Sequence, residues 1–101
     1  LVLFFKKEHP FFLNKVFQQA DSDLNAAYAQ LRAKLDEPGK AALKSGQLAW
    51  IHGRNESCSK HEGSAFYVNL KCATGTTIAR TQFLQDRYRE CISGFCLDSR
   101  L

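Results

Sequence analysis

The chain has 101 residues, 14 Lys and Arg against 10 Asp and Glu, a net charge of +4 and four cysteines. Its length fits one domain over 1–101 with a modest core, because so short a chain hides only about two-thirds of its unfolded surface. The cations are dispersed among acids, which argues against the basic stripe of a nucleic-acid binder, and no run approaches the roughly 18 apolar residues that cross a bilayer.

The chain opens on the apolar run Leu1-Val2-Leu3-Phe4-Phe5, which stops at Lys6-Lys7. That is shorter than the roughly 7–15 apolar residues in the centre of a signal peptide, so the run is expected to pack on the body. With Leu at position 1 and no Met anywhere, the sequence reads as a processed or trimmed piece.

The first helix is expected from about Phe11 to Leu35, with Pro10 at its start. Phe17, Ala20, Leu24, Ala27, Tyr28, Leu31 and Leu35 recur in steps of three and four, the helical period of one apolar face. Gln18, Gln19, Asn25, Gln30 and Arg32 fall on the other side. Asp36-Glu37-Pro38-Gly39 reads as its stop, since proline restricts the residue before it and glycine turns the chain.

A second helix is expected from about Lys40 to Lys60, with Leu43, Gln47, Trp50, Ile51, Arg54 and Cys58 on its inner face. Trp50, the single tryptophan, is a core anchor by size. Gly46 and Gly53 each cost up to about 1 kcal/mol relative to Ala and mark positions where a neighbouring helix can approach. Ser59 to Ser64 reads as a polar connection, and no strand pattern is evident.

The third helix is expected from about Ala65 to Cys91. Phe66, Asn69, Cys72, Thr76, Ala79, Arg80, Phe83, Leu84, Arg87 and Tyr88 share one side, and a kink is allowed at Ala73-Thr74-Gly75-Thr76-Thr77. Ser93-Gly94 ends the helix, and Phe95-Cys96 folds back. The fold class is therefore all-α: a small antiparallel three-helix bundle, or a helical hairpin plus a third helix, stapled by disulfides.

Four cysteines allow three pairings. On a continuous third helix Cys72 and Cys91 stand 19 residues apart, roughly 28 Å at the helical rise. A disulfide needs Cα atoms within about 7 Å, so Cys72–Cys91 is out and Cys72–Cys96 is nearly as bad, which leaves Cys58–Cys72 with Cys91–Cys96. An even cysteine count in a chain of this size suggests an oxidising compartment. The rival use is a metal: His52, Cys58, His61 and Cys72 are ligand types that zinc prefers. Their spacing fits no compact finger, so neither a metal nor a cofactor is expected.

Three stretches carry a family resemblance. Gln19-Ala20-Asp21-Ser22-Asp23-Leu24-Asn25-Ala26-Ala27-Tyr28-Ala29-Gln30-Leu31 resembles the AD-x-x-LN-x-x-Y-x-x-L helix of the lysozyme inhibitor LprI-like domain. Gln47-Leu48-Ala49-Trp50-Ile51-His52-Gly53-Arg54-Asn55-Glu56-Ser57-Cys58 is similar to that family's Q-x-AW-x-x-x-R-x-x-x-C helix. Cys72, then Arg80-Thr81 and Leu84, resembles its C-x7-RT-x-x-L ending. The three span about 17–84 in the family's order. Members often carry a further cysteine pair upstream, where this chain has Phe11-Phe12-Leu13, and Cys91 and Cys96 lie beyond the family core.

The resemblance implies a bacterial envelope protein, periplasmic or secreted, whose partner is another protein: lysozyme or another peptidoglycan hydrolase, or alternatively the partner of an immunity-type protein or envelope adaptor. The signature positions Leu24, Tyr28, Trp50, Arg54, Cys58 and Cys72, with Leu31 and Arg80, read as core and staple. Arg54 and Arg80 are expected to cap or bridge helices, with Asp23 or Glu56 as partners. Animal lysozymes are basic, and two positive proteins repel at long range. Asp21, Asp23, Asp36 and Glu37 are therefore the candidate partner-binding patch.

An enzyme is not expected. There is no Ser-His-Asp spacing and no glycine loop for phosphate. Asp21 and Asp23 would point about 200° apart on a helix, and His52 with Glu56 reads as an ordinary surface pair. The sequence leaves the oligomeric state open.

Overall fold

The computed structural model of the chain describes residues 11–63 and 65–101, with side chains over 14–60, 63 and 67–101. The expectations for Leu1–Phe5 and Pro10 lie outside the described residues. Three helices, α1 (Phe11–Arg32), α2 (Glu37–Ser57) and α3 (Leu70–Ile92), carry the structure; between α2 and α3 stand two short strands, β1 (Ser59–Glu62) and β2 (Ala65–Val68). A single 3-10 turn, η1 (Asp98–Arg100), closes the chain. Among the described residues no helix is long and apolar enough to cross a membrane.

Two core clusters fix the directions of the helices. At one end Phe17 of α1 meets Cys58 behind α2, Val68, and Leu70 and Ala73 of α3. At the other, Leu31 and Leu35 behind α1 meet Leu43 of α2 and Leu84 of α3, with Tyr88 and Cys91 against them. Thus α1 and α3 run the same way and α2 runs against both, the up-down-up arrangement of an antiparallel three-helix bundle.

The inner faces of α1 and α2 follow the expected periodicity. Phe17, Ala20, Leu24, Ala27, Leu31 and Leu35 are buried, as are Leu43, Gln47, Ile51, Arg54 and Cys58. In α3 the buried set is Leu70, Ala73, Thr77, Thr81 and Leu84, rotated from the expected Thr76 and Ala79. The reason is steric. Ala73 packs beside Phe17 and Thr81 beside Ala20 of α1, and a small residue on at least one side of each contact lets the two helices approach closely. The helix runs unbroken through Thr74 to Thr77; Thr77 and Thr81 lie inside, and the Thr81 hydroxyl is satisfied by the Thr77 carbonyl one turn back (3.0 Å).

Three boundaries depart from expectation. The α1 helix stops at Arg32, and Asp36-Glu37-Pro38-Gly39 starts α2 instead of only stopping α1. Asp36 is its N-cap, its carboxylate accepting the Gly39 N–H (2.9 Å), and Pro38 sits in the first turn, where its missing N–H costs nothing. The expected polar connection is a hairpin: Ser59 pairs with Val68 and Glu62 with Ala65, antiparallel, with Gly63 at φ +62° supplying the turn. Helix α3 accordingly begins at Leu70, capped by Asn69, whose side chain accepts the Cys72 N–H (3.0 Å).

Both expected disulfides are present. Cys58–Cys72 (Cα–Cα 5.5 Å) closes the base of the hairpin, and Cys91–Cys96 (4.0 Å) pins the turn after α3. The Cys58 carbonyl also accepts the Asn69 N–H (2.8 Å), so a covalent bond and a backbone bond hold the same junction. Of the two glycines in α2, Gly46 does mark a close approach, but by the chain end: a Cβ there would lie 2.6 Å from the Leu101 carbonyl oxygen. Gly53 has nothing near it.

Candidate interaction surface

The signature residues of α2 and α3 form a stack of alternating rings and guanidiniums. Arg54 lies over Phe17 (5.6 Å to the ring centre) and Trp50 (5.1 Å); Arg80 lies over Trp50 (5.9 Å) and Phe83 (4.5 Å); Arg87 lies over Phe83 (4.8 Å). Guanidiniums suit this place because their flat, weakly hydrated faces lie against rings while their edges donate hydrogen bonds. Arg54 Nη1 donates to Thr77 Oγ1 (3.4 Å) and faces the Asp21 carboxylate (3.8 Å). Arg80 Nε donates to Gln47 Oε1 (2.8 Å). Both arginines bridge helices, as expected, but Arg54 pairs with Asp21 and Arg80 with Gln47 instead of Asp23 or Glu56. Tyr28 and Trp50 are half-buried against the core, while Leu24 and Leu31 are fully inside.

Burial pushes the Asp21 carboxyl above its usual range, by more than Arg54 pulls it down. The same loss of water lowers Arg54 and Arg80. These groups face inward and serve the bundle. Asp21 is only 5% exposed, which removes it from any patch offered to a partner. The signal was in the spacing: Asp21 lies four residues after Phe17 and three before Leu24, on the apolar face.

The remaining acids do not gather either. Asp23 is exposed midway along α1 and accepts from Gln19 Nε2 (2.9 Å). Asp36 is spent as the α2 cap, and Glu37 pairs with Lys40 (3.6 Å). Asp23 and Asp36 are 13 residues apart, with the last turns of α1 between them. The expected acidic patch is thus four carboxylates in four separate settings.

The zinc reading fails at its thiolates, since Cys58 and Cys72 are bonded to each other. Among the described residues no three His, Cys, Asp or Glu side chains converge. His52 and Glu56 are both exposed on the outside of α2, and the His61 side chain lies outside the described residues.

Among the described residues, two concave surfaces lie on α3. One is a groove of about 180 Å³ between α1 and α3, lined by Ala20, Asp23, Ile78, Thr81, Gln82 and Gln85. Small Ala20 and Thr81 form its bottom because the two helices approach there, while Ile78 stands 48% exposed at its wall. The other is an open dish of about 450 Å³ at the end of α3, lined by Asp86, Arg87, Arg89, Glu90, Ser93 and Phe95. There Glu90 is held by Arg100 (2.9 Å) and Arg87, which keep its carboxyl down at about 2, and Arg89 pairs with Asp86. Neither surface was expected from the sequence. Ile78, Gln82 and Gln85 share a helix face with Lys71, Gly75 and Arg89, a pattern that reads as plain solvent-facing helix.

The profile of the lysozyme inhibitor LprI family matches residues 9–84, which takes in α1, α2, the hairpin and α3 as far as Leu84. No curated protein and no solved structure matches the chain. The chain belongs to the lysozyme inhibitor LprI family.

Proposed function

We propose that this LprI-family protein is a periplasmic or secreted binding module, not an enzyme, that inhibits a lysozyme or a related peptidoglycan hydrolase by docking on it. The observation that carries the reading is the family match over residues 9–84, a stretch that contains α1, α2, the Cys58–Cys72 staple and all of the groove lining but Gln85. Two disulfides and no free cysteine suit an oxidising compartment. The inward-facing polar contacts, Arg54 with Asp21 and Arg80 with Gln47, tie helices together, which suits a scaffold that presents a rigid face.

The test is clearance of a peptidoglycan suspension by an animal lysozyme with increasing amounts of the pure, oxidised protein. Saturable loss of clearance is expected. Undiminished clearance at a large excess, repeated with bacterial peptidoglycan hydrolases, would end this reading. A second reading, an immunity-type or envelope adaptor protein, is favoured by the scattering of the acids, which leaves no patch to steer a basic lysozyme. It predicts no inhibition and a different captured partner.

A further inference from the structure

We propose that the groove between α1 and α3 is the docking site and that it receives a lysine or arginine side chain from a basic protein partner. The proposal rests on the reading above, because a lysozyme partner is basic. A chain of net charge +4 must meet such a partner through a face that does not repel it. The α1–α3 face is such a surface. Between Lys15 and Arg32 α1 has no cation, and between Lys71 and Arg87 α3 has only Arg80. Arg80 is turned away, over Trp50 and Phe83 and bonded to Gln47.

Within that stretch, bounded by Lys15 and Lys71 at one end and at the other by Arg89, which pairs with Asp86, Asp23 is the one carboxylate lining the groove. Gln19 Nε2 holds its Oδ1 (2.9 Å), and among the described residues Oδ2 has no partner. Gln82 and Gln85 line the opposite wall, and a side-chain amide carries a neutral acceptor oxygen. Exposed Ile78 offers apolar surface for the methylene stem of a long basic side chain, which lies along such surface while its head stays polar. At about 180 Å³ the groove is smaller than the roughly 300–1,000 Å³ of small-molecule pockets, and suits one side chain better than a separate ligand.

The experiment is a resonance titration of the isotope-labelled, oxidised protein with two probes: a short blocked peptide containing arginine, and an animal lysozyme. Saturable shifts confined to Asp23, Ile78, Gln82 and Gln85 are expected with both, and none with a glutamate peptide. The variants Asp23→Lys and Ile78→Glu should weaken lysozyme binding at least about tenfold, while Leu48→Asp on α2 leaves it unchanged. Asp23, Ile78 and Leu48 are exposed, and equal melting curves would confirm that all three variants fold. Groove shifts with the peptide but no lysozyme binding would keep the site and overturn the lysozyme reading. Lysozyme inhibition with no groove shifts, or undiminished by both variants, would overturn the site and keep the reading. If neither probe binds, both fall.

Discussion

The two contacts that α3 makes with its neighbours are built on opposite rules. Against α1 it sets Ala73 beside Phe17 and Thr81 beside Ala20, so at each of these contacts at least one partner is small. Against α2 the space is filled by Arg54, Trp50, Arg80, Phe83 and Gln47. The first contact depends on the absence of bulk, the second on large groups whose polar edges must all be placed. A seam of small residues fails by overfilling, whereas a stack of rings and guanidiniums fails by loss of a single member.

The largest expected effect comes from the stack. Arg54→Ala leaves the Asp21 carboxylate buried without its cation and removes the guanidinium between Phe17 and Trp50, a cost of about 3–5 kcal/mol, read by urea unfolding. A loss below about 1 kcal/mol would show that the stack fills space without holding the helices. Replacing Asp21 and Arg54 together by leucine and methionine should recover most of the loss, since the pair has already lost its water. Next comes the junction that ties the ends of α2 and α3. Converting Cys58 and Cys72 to alanine frees a 15-residue loop, worth about 3 kcal/mol in the chain-entropy model.

The seam is probed by Ala73→Leu, which forces a large side chain into a position with no exposure and should cost about 1–3 kcal/mol. If it costs nothing, the close approach of α1 and α3 is not set by small residues. The outer end of the stack should be milder: Phe83→Leu keeps most of the apolar volume but loses the ring under Arg80 and Arg87, about 1–2 kcal/mol by the size of such contacts at part-exposed sites. The smallest effect is electrostatic. Glu90 is held down from 4.5 to about 2, so its contribution is present above pH 4.5 and is lost as the pH falls toward 2. Glu90→Gln should flatten that part of the melting-temperature profile and leave the value at pH 7 slightly lower.

Much of this contrast was legible in the sequence, but unevenly. The faces of α1 and α2 are marked by leucines, Phe17 and Trp50, whose spacing reveals the buried side. On α3 the buried side carries Ala73, Thr77 and Thr81, residues that periodicity arguments treat as indifferent, so the face was read one position away. Strands of four residues are too short for alternation to show, and Tyr67 exposed beside buried Val68 becomes a pattern only once β1 is seen to pair with it. The ambiguity of Asp36-Glu37-Pro38-Gly39 is physical. The residues that end one helix also start another when an acid stands one or two positions before proline. The groove was invisible because it is defined by what two helices leave unfilled, and Asp23 gains meaning only from the distance to every cation.

The two disulfides join cysteines that follow one another along the chain, Cys58 with Cys72 and Cys91 with Cys96. This bears on biosynthesis. In an exported chain of the kind proposed above, threaded across a membrane from its N-terminal side, Cys58 and Cys72 reach the oxidising side before the last two cysteines arrive. Oxidation in order of emergence then gives the native pairing directly, and no mixed bond has to be reshuffled over the minutes to hours that uncatalysed exchange takes.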